Sequence, residues 1–142
     1  MASEPLFWQR FDICGRDFVD AGKASIKIKG ILREIGIDSS LIRRAAIASY
    51  EAEMNVVLYA SKGTMELRVT PKHIRVTVED EGPGIPDVEL AMQEGYSTAS
   101  DEIREMGFGA GMGLSNIKKN ADAFTIHSLV GKGTTLEITF RL

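Results

Sequence analysis

The sequence has one cysteine, Cys14, four prolines and only 7% aromatic residues in 142 positions. A lone thiol can close no intramolecular disulfide and build no cysteine-cluster zinc site, so Cys14 reads as a small buried hydrophobe. No apolar run approaches the ~18 residues a membrane span needs, and the opening "MASEPLFWQRF" lacks the basic stretch and apolar core of a leader. These absences predict a cytoplasmic protein with no membrane partner. A large excess of either charge is absent too: a net charge of −3 gives no electrostatic reason to expect nucleic acid. The two histidines, His73 and His127, stand on separate strand candidates with no partner at ligand spacing, which favours structural or surface roles. Trp8, the one tryptophan, reads as a core or interface residue.

What remains is 44% hydrophobic and 26% charged, ordinary for a globular chain whose length suits a single domain over residues 1–142. Residues 6–13 read as a strand and 17–35 as a helix, with Phe18, Ala21, Ser25, Ile28, Leu32 and Ile35 at three- and four-residue steps before Gly36. Asp38, Ser39 and Ser40 can each cap a second helix that runs to about residue 60. Strands over 64–70 and 73–79 follow, joined at Pro71 and Lys72, then a short helix over 87–93. A helix over 112–121 and two strands, 122–130 and 134–142, close the chain. This order predicts an α+β two-layer sandwich, with helices packed on one face of a mixed, mostly antiparallel sheet.

Four places carry polar chemistry out of pattern. In "AAIASYEAEMNVVLYA" a turn of ~100° per residue puts Glu51 and Asn55 in the middle of an apolar stripe, and Ser49 and Glu53 on the opposite, solvent side. A buried carboxylate and amide are costly unless they bond, bind a metal or face a cavity. Asn55 could thus hold Mg²⁺ through its amide oxygen while Glu51 orients or deprotonates a hydroxyl or water. The bland alternative is a polar pair near a helix end. Arg44, two turns earlier, could pair with Glu51 or a phosphate, though its position in the first turns favours simple exposure.

The second place is "EDEGPGIPD", where Asp80 ends a strand before Gly82 and Gly84; a carboxylate can accept from the exocyclic amine of adenine, and glycines let a flat ring approach. A loop that only turns the chain is the alternative. Third, "GFGAGMGLSNIKKN" has glycines at 107, 109, 111 and 113 opening a helix, where free backbone N–H groups suit phosphate. Met112 and Leu114 stand where the dinucleotide pattern needs glycine, and the run lacks the Gly-Lys-Ser/Thr of a P-loop. Fourth, Gly131 and Gly133 of "VGKGTTLEI" mark a hairpin turn, and Thr134 could add a hydroxyl to a nearby ligand.

In this order the four places resemble the boxes of the Bergerat-type ATP-binding fold shared by gyrase, MutL and histidine kinases. Glu51 and Asn55 match its first box, Asp80, Gly82 and Gly84 its first glycine box, and Gly107, Gly109, Gly111 and Gly113 its second. Gly131, Gly133 and Thr134 match the third. The resemblance implies ATP and Mg²⁺ as cofactors: Asn55 as the metal ligand, Glu51 as catalytic base, and Asp80, Gly82, Gly84, Gly107, Gly109, Gly111, Met112, Gly113, Leu114 and Thr134 around the nucleotide. Residues 94–106 would form a lid, with Arg104 as its candidate phosphate or partner contact. The length is expected to be too short for a gyrase or MutL module with its transducer, and no phosphoacceptor-histidine hairpin is expected before the ATP-binding part.

The chain therefore looks like the stand-alone bacterial anti-sigma factor kinases and switch-protein kinases, which phosphorylate a serine or threonine of a small STAS-domain antagonist. "EDEGPGIPD" and "EGYSTAS" look closer to the switch-kinase branch. A sigma factor or similar regulator as second partner, and a homodimer, are arrangements the resemblance allows. Two other functions stay open: a nucleotide-dependent binding switch with little transfer, and a detached histidine-kinase catalytic domain.

Overall fold

The computed structural model describes residues 7–93 and 113–142. Five strands form one sheet, β1 (Phe7–Cys14), β2 (Lys62–Val69), β3 (His73–Glu81), β4 (Ala123–Leu129) and β5 (Gly133–Arg141), in the spatial order β1-β2-β3-β5-β4. Every ladder between them is antiparallel, with Phe11 opposite Met65, Met65 opposite Val78, and Val78 opposite Leu136. That register lines Phe11, Met65, Val78 and Leu136 along one face, since strand side chains alternate with period two. Each of these side chains is buried, and each is worth roughly 1.5–3 kcal/mol relative to exposure.

Helices α1 (Lys23–Ile35), α2 (Ser39–Tyr59) and α4 (Gly113–Asn120) lie over that face, with α2 packed between α1 and α4. A single turn, α3 (Val88–Ala91), follows the end of β3 and is capped by Asp87, which accepts from the Leu90 N–H at 3.0 Å. The two-layer α+β expectation holds. Among the described residues no helix is long and apolar enough to cross a membrane.

The central position of α2 overturns one reading of its sequence. Ser49 and Glu53, expected on the solvent side, are 0% and 2% exposed. Glu53 faces α1, where Oε2 accepts from the backbone N–H groups of Gly22 (3.0 Å) and Ala24 (3.2 Å), and Oε1 from that of Ser25 (2.9 Å). These are donors that a helix start leaves without intrahelical partners. The narrow outer strip of α2 carries Arg43 and Tyr50 instead, the latter 41% exposed.

The same contact explains why α1 begins at Lys23 rather than near residue 17. Gly22 adopts φ +94°, a left-handed conformation that ends the preceding turns, and Glu53 supplies the cap that no local side chain gives.

Arg44 is half-buried rather than exposed. Its Nε donates to the Asn120 carbonyl (2.8 Å) and an Nη to Asp122 (2.9 Å), so it ties the start of α2 to the end of α4. The Arg141 backbone N–H, and after it the Arg44 guanidinium, hold the Asp122 carboxyl below its usual range. Cys14 is exposed, a correction to its expected burial. It follows Trp8, Arg10 and Asp12 on the side of β1 away from the helices, and Trp8 is 49% exposed beside the Arg10 guanidinium.

Candidate functional site

Two groups of polar residues form along α2. The first lies at the seam with α4. Glu51 and Asn55, four residues apart, are both half-buried and both point at the start of α4. A Cβ placed on Gly113 would lie 3.4 Å from the Asn55 amide oxygen and 3.4 Å from Glu51 Oε2. The other carboxylate oxygen, Oε1, accepts from the Asn116 side-chain amide at 3.2 Å. Glu51, Asn55 and Gly113 are thus brought together. Leu114, next in line, is buried in the hydrophobic core.

The second group lies at the end of β3. Asp80 is half-buried, and its Oδ1 accepts from the backbone N–H of Thr134 at 3.1 Å. Burial pushes the Asp80 carboxyl above its ordinary range, and the Thr134 N–H opposes that rise. Gly82 packs against the end of α2, where an added Cβ would come within 3.2 Å of Ala60 and 3.1 Å of Asp80 Oδ1. From Glu51 to Ala60 is nine residues, or ~14 Å of helix axis. That distance sets the spacing of the two groups.

The first and third glycine boxes interlock. The Gly131 N–H donates to the Pro83 carbonyl (2.8 Å), and the Ile85 N–H to Ser128 Oγ (2.7 Å). Gly84, at φ +76°, passes so close that a Cβ would fall 2.3 Å from the Leu129 carbonyl oxygen. Thr134 is buried and its hydroxyl is 2.9 Å from that of Ser128, so it is engaged within the protein rather than free. Gly133 is held at φ +149° with its Cβ direction 2.0 Å from the Asp80 carbonyl oxygen. Gly133→Ala is expected to lose about 1–3 kcal/mol of stability by forcing this approach apart. Because the same displacement moves the Thr134 N–H off Asp80, ADP titration of the variant should show weakened binding.

Ser128 and Asn116 were not singled out by sequence. Ser128 occupies an inward position of β4 in register with Phe124 and Ile126, and a hydroxyl on that face is a usable signal. Asn116 carries no comparable mark until α4 is set beside α2. Gly107, Gly109, Gly111, Met112, Arg104 and the expected lid over residues 94–106 lie outside the described residues.

A family model described as Histidine kinase-, DNA gyrase B-, and HSP90-like ATPase matches residues 42–142. The chain belongs to this ATPase family. Within it, the chain is similar to the serine/threonine-protein kinase RsbT of Bacillus subtilis (strain 168), 31% identical over 113 residues that span 77% of this chain and 79% of that protein. It is also similar to the anti-sigma F factor of Caldanaerobacter subterraneus subsp. tengcongensis, 32% identical over 101 residues, 71% of this chain and 63% of the relative. The chain thus spans somewhat less than two thirds of that factor's length. The family fold is similar to that of a chain in the crystal structure of the SiaB-SiaC complex from Pseudomonas aeruginosa, with TM-score 0.60 and 12% identity, over 97% of this chain and 90% of that one.

The residues present suit the family's nucleotide and its metal. Mg²⁺ is usually held by one or two protein oxygens together with phosphates and water. The Asn55 amide oxygen, turned toward Gly113 at the start of α4, can be one of them. Among the described residues no three His, Cys, Asp or Glu side chains group as a metal site. The carboxylate of Asp80, in a half-buried notch flanked by glycine, suits the exocyclic amine of adenine.

Proposed function

We propose that this chain is an ATP-dependent serine/threonine protein kinase of the anti-sigma factor or switch-kinase type, acting on a small STAS-domain antagonist protein and regulating transcription through partner switching. The observation that supports this reading is the convergence of Glu51 and Asn55 on Gly113, a carboxylate and an amide oxygen of α2 side by side at the start of α4. A protein that only bound nucleotide would have no need of a carboxylate there. Similarity to RsbT and to anti-sigma F factors supports the same assignment.

In this mechanism Asp80 orients the adenine, Asn55 contributes an oxygen to Mg²⁺, and Glu51 positions the partner's hydroxyl and takes its proton. The metal, when bound, offsets charge on the phosphates. Gly107, Gly109, Gly111, Met112, Gly113 and Leu114 belong to the segment that would approach the phosphates, and Arg104 to the segment covering them. One domain over 1–142, a sigma factor or similar regulator as second partner and a homodimer complete the proposal.

Purified protein mixed with Mg-ATP and a STAS-domain antagonist should put acid-stable phosphate on a serine or threonine of the partner. Acid-labile phosphate would assign the chain to histidine transfer, and stoichiometric binding without phosphate would make it a binding switch.

The Asp80 carboxyl gives a pH test of the nucleotide notch. Only the ionised form accepts from adenine without also presenting a proton, and its pKa is raised, so binding should weaken at a higher pH than for an ordinary aspartate. ADP affinity measured by calorimetry should fall as pH drops through that raised value. Asp80→Asn should lower affinity about 10- to 100-fold, the worth of a hydrogen bond to a charged group, and abolish the acid limb. An unchanged profile in Asp80→Asn would remove Asp80 from the site.

A further inference from the structure

We propose that Asn116 is a positioning residue that sets the orientation of the Glu51 carboxylate. This inference rests on the reading of Glu51 as the base and adds a residue to it. An ionised carboxylate only accepts hydrogen bonds, so the Asn116 amide must present its NH₂ group to Oε1, at 3.2 Å. One oxygen is thereby tied to α4. The other, Oε2, is turned toward Gly113, as is the Asn55 oxygen, each 3.4 Å from where a Cβ on that glycine would stand.

Asn116 is itself anchored. Its main-chain carbonyl accepts from the Asn120 side-chain amide at 2.8 Å, and the Asn120 carbonyl accepts from Arg44 Nε at 2.8 Å. The hydrogen bonds run from the first turns of α2, along α4, and back to Glu51 two turns further up α2. Both helices are therefore fixed relative to one another at two points. A carboxylate on a long side chain loses rotamer freedom when held in this way, at a cost met by packing rather than by the substrate.

The choice of an amide also makes chemical sense. A lysine or arginine at 116 would orient the carboxylate as well, but its positive charge would lower the carboxylate's affinity for the very proton it must accept. A neutral donor orients without that penalty.

The test compares Asn116→Ala and Asn116→Asp with the unmodified chain. Turnover of the partner kinase reaction should fall about 10- to 100-fold in Asn116→Ala, the scale of a misplaced reacting group, while KM for ATP and ADP affinity stay within about threefold. Asn116→Asp preserves shape but sets two carboxylates together, so it should lose at least as much turnover and serves if the alanine variant folds poorly. In single-turnover measurements on a Glu51→Gln background, Asn116→Ala should have little further effect, because both changes act through one group.

A readout independent of turnover is the Asn116 side-chain amide signal in ¹H–¹⁵N spectra, identified by its loss in Asn116→Ala. It should move on Glu51→Gln. Unchanged kcat in both Asn116 variants with an inactive Glu51→Gln overturns the inference and leaves the kinase reading intact. A loss of ADP affinity matching the loss of turnover, equal effects with and without Glu51, or an unmoved amide signal also overturns it. Full transfer by Glu51→Gln would instead remove the base reading, and this inference with it.

Discussion

Glu51→Ala should lower phosphoryl transfer to the partner about 10²- to 10⁴-fold, the usual contribution of a positioned base, with nucleotide affinity little changed. The carboxylate is half-buried and, among the described residues, its hydrogen-bond partner is the Asn116 side-chain amide. Its removal leaves one donor that water can reach, so Tm should move by no more than ~2 °C. Phosphate incorporation into the partner and ADP calorimetry on the same preparation separate the two quantities. Transfer at the unmodified rate would remove Glu51 as the base.

Glu53→Ala, two residues away, should do the opposite. It removes a 2% exposed carboxylate that accepts from three backbone N–H groups at the start of α1. Buried donors left without partners cost about 1–3 kcal/mol each, partly recovered if water enters, so a net loss of about 3 kcal/mol is expected. For a chain of this size that corresponds to a fall in Tm of roughly 10 °C. Glu53→Gln keeps one acceptor oxygen and should lose less. Below the melting transition both variants should still bind ADP, because Glu53 faces α1 and not the α4 seam. Thermal denaturation with an unshifted Tm in Glu53→Ala would mean that the three N–H groups are satisfied by other means.

The contrast between these carboxylates marks where the sequence was legible. Both appear in "EAEMN", and a helical wheel with one wet side and one dry side assigns Glu51 to the polar notch, as found, and Glu53 to solvent, which is wrong. The wheel fails because α2 has neighbours on three sides: α1, α4 and the sheet. Burial of Glu53 is tolerated because α1 starts there with N–H donors that have no intrahelical partner, a fact set by residues about 30 positions earlier.

The strands fared better because period-two alternation is local. Even Cys14 could have been placed, since it falls in step with Arg10 and Asp12 rather than with Phe11 and Ile13. Asp80 stood out as a carboxylate at a strand end, and Gly82, Gly84 and Gly133 as glycines at turns, where the structure brings segments too close for a side chain. Asn116 and Ser128 did not, as ordinary polar residues whose partners come from distant segments.

The clasp between Pro83, Gly84 and Ile85 on one side and Ser128, Leu129 and Gly131 on the other has an evolutionary corollary. Neither loop can be lengthened, shortened or exchanged for a relative's version alone without losing the carbonyl and hydroxyl that receive the other's amides. Diversification of this end of the sheet must therefore proceed by paired changes, some 45 positions apart in the chain, and a chimera that inherits both halves from one parent should outperform one that mixes them.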